Sequence, residues 1–288
     1  MNRLRGGGGP EPLAFDDLNP WGHWPPSGPT ARLLALSHRV PPPFTPLVRL
    51  LRRHIKYGVH QPLDVVIWER RLRLMPRGNF SEQKLLVSPR LFDRRELAFL
   101  AGRLRPGDCF VDIGANAGIY SIWADRCMQG RGRVIAVEPD PEMRRRLAFN
   151  LATNAIHSIE VCPVALSDRR GTASLFVDPS QRGLNTLEAS EAEREGGPRS
   201  GMVVDVVPLS SLLAERGVHE VRALKIDVEG HEATVLRHFF GTAPAGTLPG
   251  AIITEAKGDS AAGLEAMLGP FGYRRLARTE LNLILTRD

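Results

Sequence analysis

The 288 residues suit one large α/β domain with an extension, and 42% hydrophobic with 24% charged residues is the balance of a globular chain with a buried core, which excludes global disorder. The formal net charge of +6 is uneven: residues 1–107 carry 18 Lys and Arg against 8 Asp and Glu, and the remainder carries 20 against 24. A basic front third suits either a solvated arginine face or an anionic surface, and it does not dictate fold.

In chain order, residues 1–45 hold the run Gly6 to Gly9 and many prolines, and without helical or strand periodicity they read as a loose, disordered arm. Trp21, Trp24 and Phe44 are the side chains within it able to dock on a folded body. From Pro46 to Val59, Leu47, Leu50, Leu51 and Ile55 recur at helical spacing, with Arg49, Arg52, Arg53 and Lys56 on other faces. This basic amphipathic helix, 46–59, either packs on its own domain or makes weak contact with an anionic membrane. Asp64 to Trp68 and Arg71 to Met75 predict a β-hairpin, and Asp93 to Leu104 a helix capped by Asp93 with Glu96 at the capping-box position. Residues 46–105 thus lead into a main domain over 106–288.

From Pro106 short apolar strands alternate with helices: Cys109 to Ile113, Val134 to Val137, Ile159 to Ala165, Ala223 to Val228 and Ala251 to Glu255. The alternation predicts a mostly parallel α/β sheet with helices on both faces. Gly272 to Arg278 and Leu281 to Thr286 predict an antiparallel C-terminal hairpin at the sheet edge. Cys109, Cys127 and Cys162 are odd in number and lack CxxC spacing, which speaks against a disulfide framework or a zinc site and for a cytoplasmic protein. No apolar run approaches the ~18 residues of a membrane span, and the N-terminus lacks the apolar stretch of a secretory signal.

The chemistry begins at VDIGANAGIYS, residues 111–121, where a strand runs into glycines and then a helix. Gly114 and Gly118 let the backbone turn and a ligand approach, and the helix N-terminus offers free N–H groups. The spacing is G-x-x-x-G and not the dinucleotide G-x-G-x-x-G; with Asp112 two residues ahead it suits a nucleoside lacking a pyrophosphate. Glu138 closes the next strand in VIAVEPD, where an acidic side chain accepts both hydroxyls of a ribose. Ala165, Leu166 and Asp168 fall at the carboxyl edge of the third strand, fit to flank an adenine.

In ALKIDVEGHE, residues 223–232, an extended strand puts Lys225, Asp227 and Glu229 on one face. Ionisable groups in a central strand are costly unless they pair or serve a ligand. Asp227, Glu229 and His231 are therefore candidate catalytic residues, with Lys225 setting the carboxylates or simply pairing with Asp227, and Glu255 and Lys257 at the next strand end. Asp227 and Glu229 are hard oxygen ligands, but one strand supplies too few to predict a metal site. The polar segment 181–201 reads as an acceptor loop, lid or plain insertion, with Leu184, Asn185 and Thr186 its least generic residues.

These segments together resemble the FkbM-type methyltransferases over residues 85–257: FDRRELAFL, PGDCFVDIGANAGIYS, VIAVEPDPEMRRRLAFN, VALSDRRG, LKIDVEGHE and IITE. The resemblance implies a class I Rossmann-like methyltransferase fold and S-adenosyl-L-methionine as cofactor. It further implies O-methylation of a hydroxyl on a sugar, polyketide or related metabolite. It makes Asp112, Gly114, Asn116, Gly118 and Glu138 cofactor contacts, with Ala115 and Pro139 beside them. Methyl transfer is an in-line displacement, so such a site aligns the reactants and excludes water, and Asp227, Glu229 or His231 takes the hydroxyl proton. The rival readings are an NAD(P)-dependent oxidoreductase and a non-catalytic membrane- or partner-binding module. A nucleic-acid acceptor is not expected, because the basic regions lack interleaved aromatics.

Overall fold

The computed structural model describes residues 14–39, 45–178, 181–182, 185–187, 200–256 and 260–287. Within the stretch expected to be a loose arm, residues 14–39 instead pack on the body. Phe15 is buried edge-on against Phe149 with ring centroids 5.7 Å apart, and helix α1 (Gly28–Ser37), started by a proline in its first turn, buries Leu34. The anchor is Arg73, fully buried in the hairpin that follows. All five N–H groups of its guanidinium are used: two reach the Asp64 carboxylate and three the carbonyls of Asp16, Asn19 and Pro20. Trp24 docks through its main-chain N–H on Asp64, and Trp21 donates its indole N–H to the Leu72 carbonyl. Phe44 lies outside the described residues.

Helix α2 (Thr45–Gly58) buries Leu51 and Ile55 and leaves Leu50, Arg53, His54 and Tyr57 exposed. Strands β1 (Leu63–Ile67) and β2 (Arg70–Leu74) pair antiparallel as the sequence pattern predicts. Helix α3 (Phe80–Val87) was not expected; Asn79 caps it by accepting from the Glu82 N–H. Helix α4 (Arg94–Arg103) follows Asp93, but the predicted capping box does not form. Asp93 takes a left-handed φ of 34° and gives its carboxylate to Lys84 and the Tyr120 hydroxyl, while Glu96 accepts from Thr279 and Asn282. Side-chain donors from distant segments, an ammonium and a phenol on Asp93 and a hydroxyl and an amide on Glu96, take the carboxylates that a capping box would use.

The main sheet is built from β3 (Cys109–Ile113), β4 (Arg133–Val137), β5 (Ile159–Cys162) and four later strands, with α5 (Ile119–Cys127) and α6 (Pro141–Thr153) between the first three. The expected strand 159–165 is split: Ala165 and Leu166 leave it as β6 (Ala165–Leu166). With β7 (Gly171–Val177) and β8 (Ser200–Val207) this forms a separate three-stranded sheet. Then come α7 (Leu209–Glu215), β9 (Ala223–Ile226), α8 (Glu232–Thr242), β10 (Ala251–Glu255), α9 (Ser260–Leu268), β11 (Arg274–Arg278) and β12 (Asn282–Thr286).

Strand order in the main sheet is β11-β12-β10-β9-β3-β4-β5, with β12 antiparallel between β10 and β11 and β9, β10, β3, β4 and β5 parallel. Each buried strand alternates between two cores. Phe110, Val134, Ala223 and Ile253 face α4 and α5, and Val111, Ile135, Leu224 and Ile252 face α7 and α8. The chain leaves β3 toward β4 on one side and returns to β9 on the other, so a crevice opens at the carboxyl ends of β3 and β9, the usual ligand position in such sheets. Among the described residues no helix is long and apolar enough to cross a membrane.

Candidate active site

The turn after β3 is shaped by a close approach of two strand ends. A Cβ on Gly114, at φ 72°, would fall 1.9 Å from the Asp227 carbonyl oxygen, so only glycine lets the ends of β3 and β9 meet here. The Gly114 and Ala115 N–H groups both donate to the Val137 carbonyl at 3.0 Å, tying the turn to β4. Asn116 follows with φ 55°, its side-chain oxygen accepting from the Ala117 N–H at 2.7 Å and from Asn79 Nδ2 at 2.5 Å.

Glu138, at the carboxyl end of β4, is only 6% exposed. One carboxylate oxygen accepts from the Asn116 N–H at 2.7 Å and the other from the Asp140 N–H at 2.8 Å. Burial pushes its pKa up to about 7, against the pull of those two N–H groups. Beneath the turn, Lys225 and Asp112 are register partners across β9 and β3. Lys225 Nζ donates to the Gly114 carbonyl at 3.1 Å, sits 3.3 Å from Asp227 and 3.9 Å from Asp112, and lies over the Tyr120 ring at 5.3 Å. Burial alone would lower its pKa, but Asp227 and Asp112 outweigh it and hold the ammonium above its usual value. Asp112 is fully buried, which raises its carboxyl despite Lys225 and the Ser121 hydroxyl bonded to it at 2.6 Å.

The run after β9 departs from the extended strand that the sequence pattern suggests. β9 ends at Ile226, because the Glu232 carboxylate captures the Val228 and Gly230 N–H groups and Glu229 turns left-handed at φ 49°. Burial raises the Glu232 carboxyl. The carboxylate oxygens of Asp227, Glu232 and Glu255 come within 4.8 Å of one another. Glu232, committed to the turn, and Glu255 thus join Asp227 in one acidic group.

A cavity of about 330 Å³ opens between these elements. Gly114, Ala115, Asn116, Glu138, Pro139, Ala165, Leu166, Lys225, Asp227, Glu229 and Glu255 all line it. Four other residues singled out in the sequence stand elsewhere. Asp112 lies below the turn; Gly118, at φ 82°, starts α5 against Leu147; Asp168 pairs with Arg169 on the surface; and His231 Nε2 is 3.2 Å from the Ser167 hydroxyl. Lys257 and Leu184 lie outside the described residues. Asn185 lines the cavity and donates to Asp140, which Arg182 also grips at 2.8 Å. The buried Thr186 donates its hydroxyl to the Glu229 carbonyl at 2.8 Å, so the described part of the expected lid is stitched to both rims. Sequence reasoning missed Asp93, Tyr120, Phe80 and Phe92, which complete the wall. Asp93 was visible only as a helix cap, Phe92 only within FDRRELAFL and Tyr120 only within the helix after the glycine turn, and Phe80 gave no signal.

A sheet with β12 inverted between β10 and β11, and a crevice at the switch point floored by a glycine turn and an acidic strand end, define a class I methyltransferase fold. The chain belongs to the FkbM methyltransferase family: the family described as "Methyltransferase FkbM domain" matches residues 112–265. Methyltransferase sdnD of Sordaria araneosa is 30% identical over 152 residues, 44% of this chain and 58% of that protein. The 31-O-demethyl-FK506 methyltransferase FkbM of Streptomyces tacrolimicus is 30% identical over 158 residues, 46% of this chain and 60% of that protein. The matches thus span less than two thirds of either relative. A solved methyltransferase FkbM from Methylobacillus flagellatus KT is 19% identical with a TM-score of 0.43, covering 64% of this chain and 44% of that one.

Proposed function

We propose that the chain binds S-adenosyl-L-methionine in this cavity and transfers its methyl group to a hydroxyl of a small-molecule or glycan acceptor. The observation that carries the reading is Glu138. Each of its oxygens is fixed by one main-chain N–H and retains a second lone pair, which suits the two hydroxyls of a ribose. The residues present fit the rest of that cofactor. Ile113, Val137, Val164 and Leu166 offer an apolar wall for adenine, and the buried cation of Lys225 with the carboxylate of Asp227 suits an amino-acid tail at the β3 turn.

Once bound, the cofactor supplies an electrophilic methyl carbon on a sulfonium. The protein's own part is alignment, exclusion of water and removal of the hydroxyl proton. Asp227 and Glu229 line the cavity beside Glu255, and either of the first two suits the role of proton acceptor, whereas His231 points to Ser167. Lys225 pairs with Asp227 and fixes the Gly114 carbonyl, which ties the base to the cofactor turn. An oxygen acceptor is supported by the Streptomyces relative, whose name denotes a 31-O-demethyl substrate. Free Cys109, Cys127 and Cys162 suit the reducing cytoplasm. The exposed Leu50, Arg53 and Tyr57 of α2 suit weak contact with an anionic membrane.

Calorimetric titration with S-adenosylhomocysteine, NAD⁺ and NADP⁺ separates this reading from a dehydrogenase, and tritiated methyl transfer into a metabolite extract tests the acceptor class. Binding of the first ligand alone, with label in a small molecule, is expected. Binding of a nicotinamide cofactor in its place, or label only in nucleic acid, contradicts the proposal.

A further inference from the structure

The cavity does not end at Asp93 and Leu281. Both residues also line a second hollow of about 630 Å³, set between α4 and the Thr279–Asn282 turn that joins β11 to β12. At about 330 Å³ the first cavity is near the lower bound, ~300 Å³, for one drug-sized ligand, so a second reactant needs adjoining room.

Asp93 stands at the throat between the two spaces, and three features set it apart. Its backbone is left-handed at φ 34°, a conformation open to Asp more than to most residues other than glycine. Its side chain makes no cap for α4 although it occupies the cap position. One carboxylate oxygen instead lies 2.5 Å from Lys84 Nζ, and the other accepts from the Tyr120 hydroxyl at 2.8 Å. The face of the Tyr120 ring carries Lys225, which in turn holds Asp227, so the throat is coupled to the proposed methyl-transfer end of the cavity.

The hollow is lined by both signs of charge. Arg94 and Arg95 oppose Glu96 and Glu280, and Glu96 is held by the Thr279 hydroxyl and Asn282 Nδ2 at 2.7 and 2.8 Å. Balanced charges do not select an ion; they offer donors and acceptors to an uncharged, polar molecule.

We propose that this hollow is the acceptor subsite, and that Asp93 at its throat accepts a hydrogen bond from an acceptor hydroxyl and so directs its oxygen into the cavity. The inference rests on the methyltransferase reading above. It puts the acceptor on the α4 side and not at the segment 181–201, which the sequence had marked as an acceptor loop, lid or plain insertion.

Two variants of the full chain test it, with the metabolite labelled by the wild type purified and used as acceptor. Ala98→Trp fills the hollow from an exposed position on α4. Asp93→Asn keeps a side chain that tolerates the left-handed backbone but presents an amide where the hydroxyl needs an acceptor. Ala98→Trp is expected to raise the acceptor KM about tenfold, and Asp93→Asn to lower kcat/KM for the acceptor about tenfold to a hundredfold, as for one lost charge-assisted hydrogen bond. S-adenosylhomocysteine should bind both variants within about twofold of wild type. A wild-type acceptor KM in Ala98→Trp, or an unchanged kcat/KM in Asp93→Asn, overturns the inference. So does a parallel loss of S-adenosylhomocysteine affinity, which would assign these residues to the cofactor. A wild type that binds no S-adenosylhomocysteine, or labels no metabolite, shows itself before any variant is made and removes the parent reading as well.

Discussion

Replacing Gly114 by alanine puts the β3 turn under a load that can be worked out from the structure. The new Cβ would lie 1.9 Å from the Asp227 carbonyl oxygen and 3.1 Å from its carbonyl carbon, both main-chain atoms of the other strand end. Relieving that overlap moves the turn or residues 227–229 by about 1 Å, and both carry cavity residues. A left-handed alanine costs about 1–2 kcal/mol, and overpacking against a rigid neighbour about 1–3 kcal/mol more. The sum, ~2–5 kcal/mol, corresponds to a fall in Tm of roughly 5–15 °C. S-adenosylhomocysteine affinity should fall at least about tenfold, since a misplacement of this size typically spoils a preorganised site. Gly118→Ala is the control: its new Cβ would meet Leu147 Cδ1, the end of a flexible side chain, so the left-handed term dominates and the loss is smaller. Thermal denaturation and calorimetry on the two variants read both quantities. A Gly114→Ala protein with Tm within about 2 °C and affinity within about twofold of wild type would refute the reasoning.

Glu138, with its pKa raised to about 7 by burial, must ionise to accept two ribose hydroxyls. Affinity for S-adenosylhomocysteine should therefore fall as pH drops through 7, by up to about tenfold per unit in the limit, and Glu138→Ala should abolish that slope; a wild-type affinity flat from pH 8 to 5.5 contradicts the assignment. The raised pKa also means that this carboxyl opposes folding as pH rises from its unfolded value through 7, so bound cofactor should raise Tm more at pH 8 than at pH 6. Lys225→Met leaves Asp112 fully buried without its nearest cation, and should cost about 3–5 kcal/mol in chemical denaturation at pH 8. Burial raises that carboxyl, so the loss should shrink as pH falls and protonation relieves it; a loss independent of pH would rule this out. Asp64→Asn strips Arg73 of its counter-charge, with a similar expected cost of about 3–5 kcal/mol, and exposes residues 14–39 to limited proteolysis. An arm as protease-resistant as in the wild type would show that Arg73 is not its anchor.

The parts of the fold that were legible in the sequence are those fixed by local pattern. β3 and β10 begin and end where their apolar runs do, and the glycine turn with Glu138 follows from strand ends alone. What stayed hidden depends on partners distant in the chain. Helix α3 buries Glu82 and Gln83, the former paired with Arg146 at 2.5 Å, so no apolar stripe advertises it. Residues 14–39 look like linker because prolines interrupt any helical or strand periodicity, and their order comes from a guanidinium supplied by β2. Asp93 carries every local sign of a helix cap, yet Lys84 and Tyr120 claim its carboxylate. The alternation Lys225, Asp227, Glu229 suggests one strand face, but Glu232 ends the strand early by taking two main-chain N–H groups, and Lys225 pairs with Asp227 at 3.3 Å.

The most direct measurement is a crystal structure of the protein with S-adenosylhomocysteine. Both ribose hydroxyls should lie within about 3.2 Å of the Glu138 carboxylate oxygens, with the adenine between Val137 and Leu166 and the sulfur facing Asp227. A ligand bound away from Glu138, or a cavity that stays closed at saturating ligand, would contradict the account.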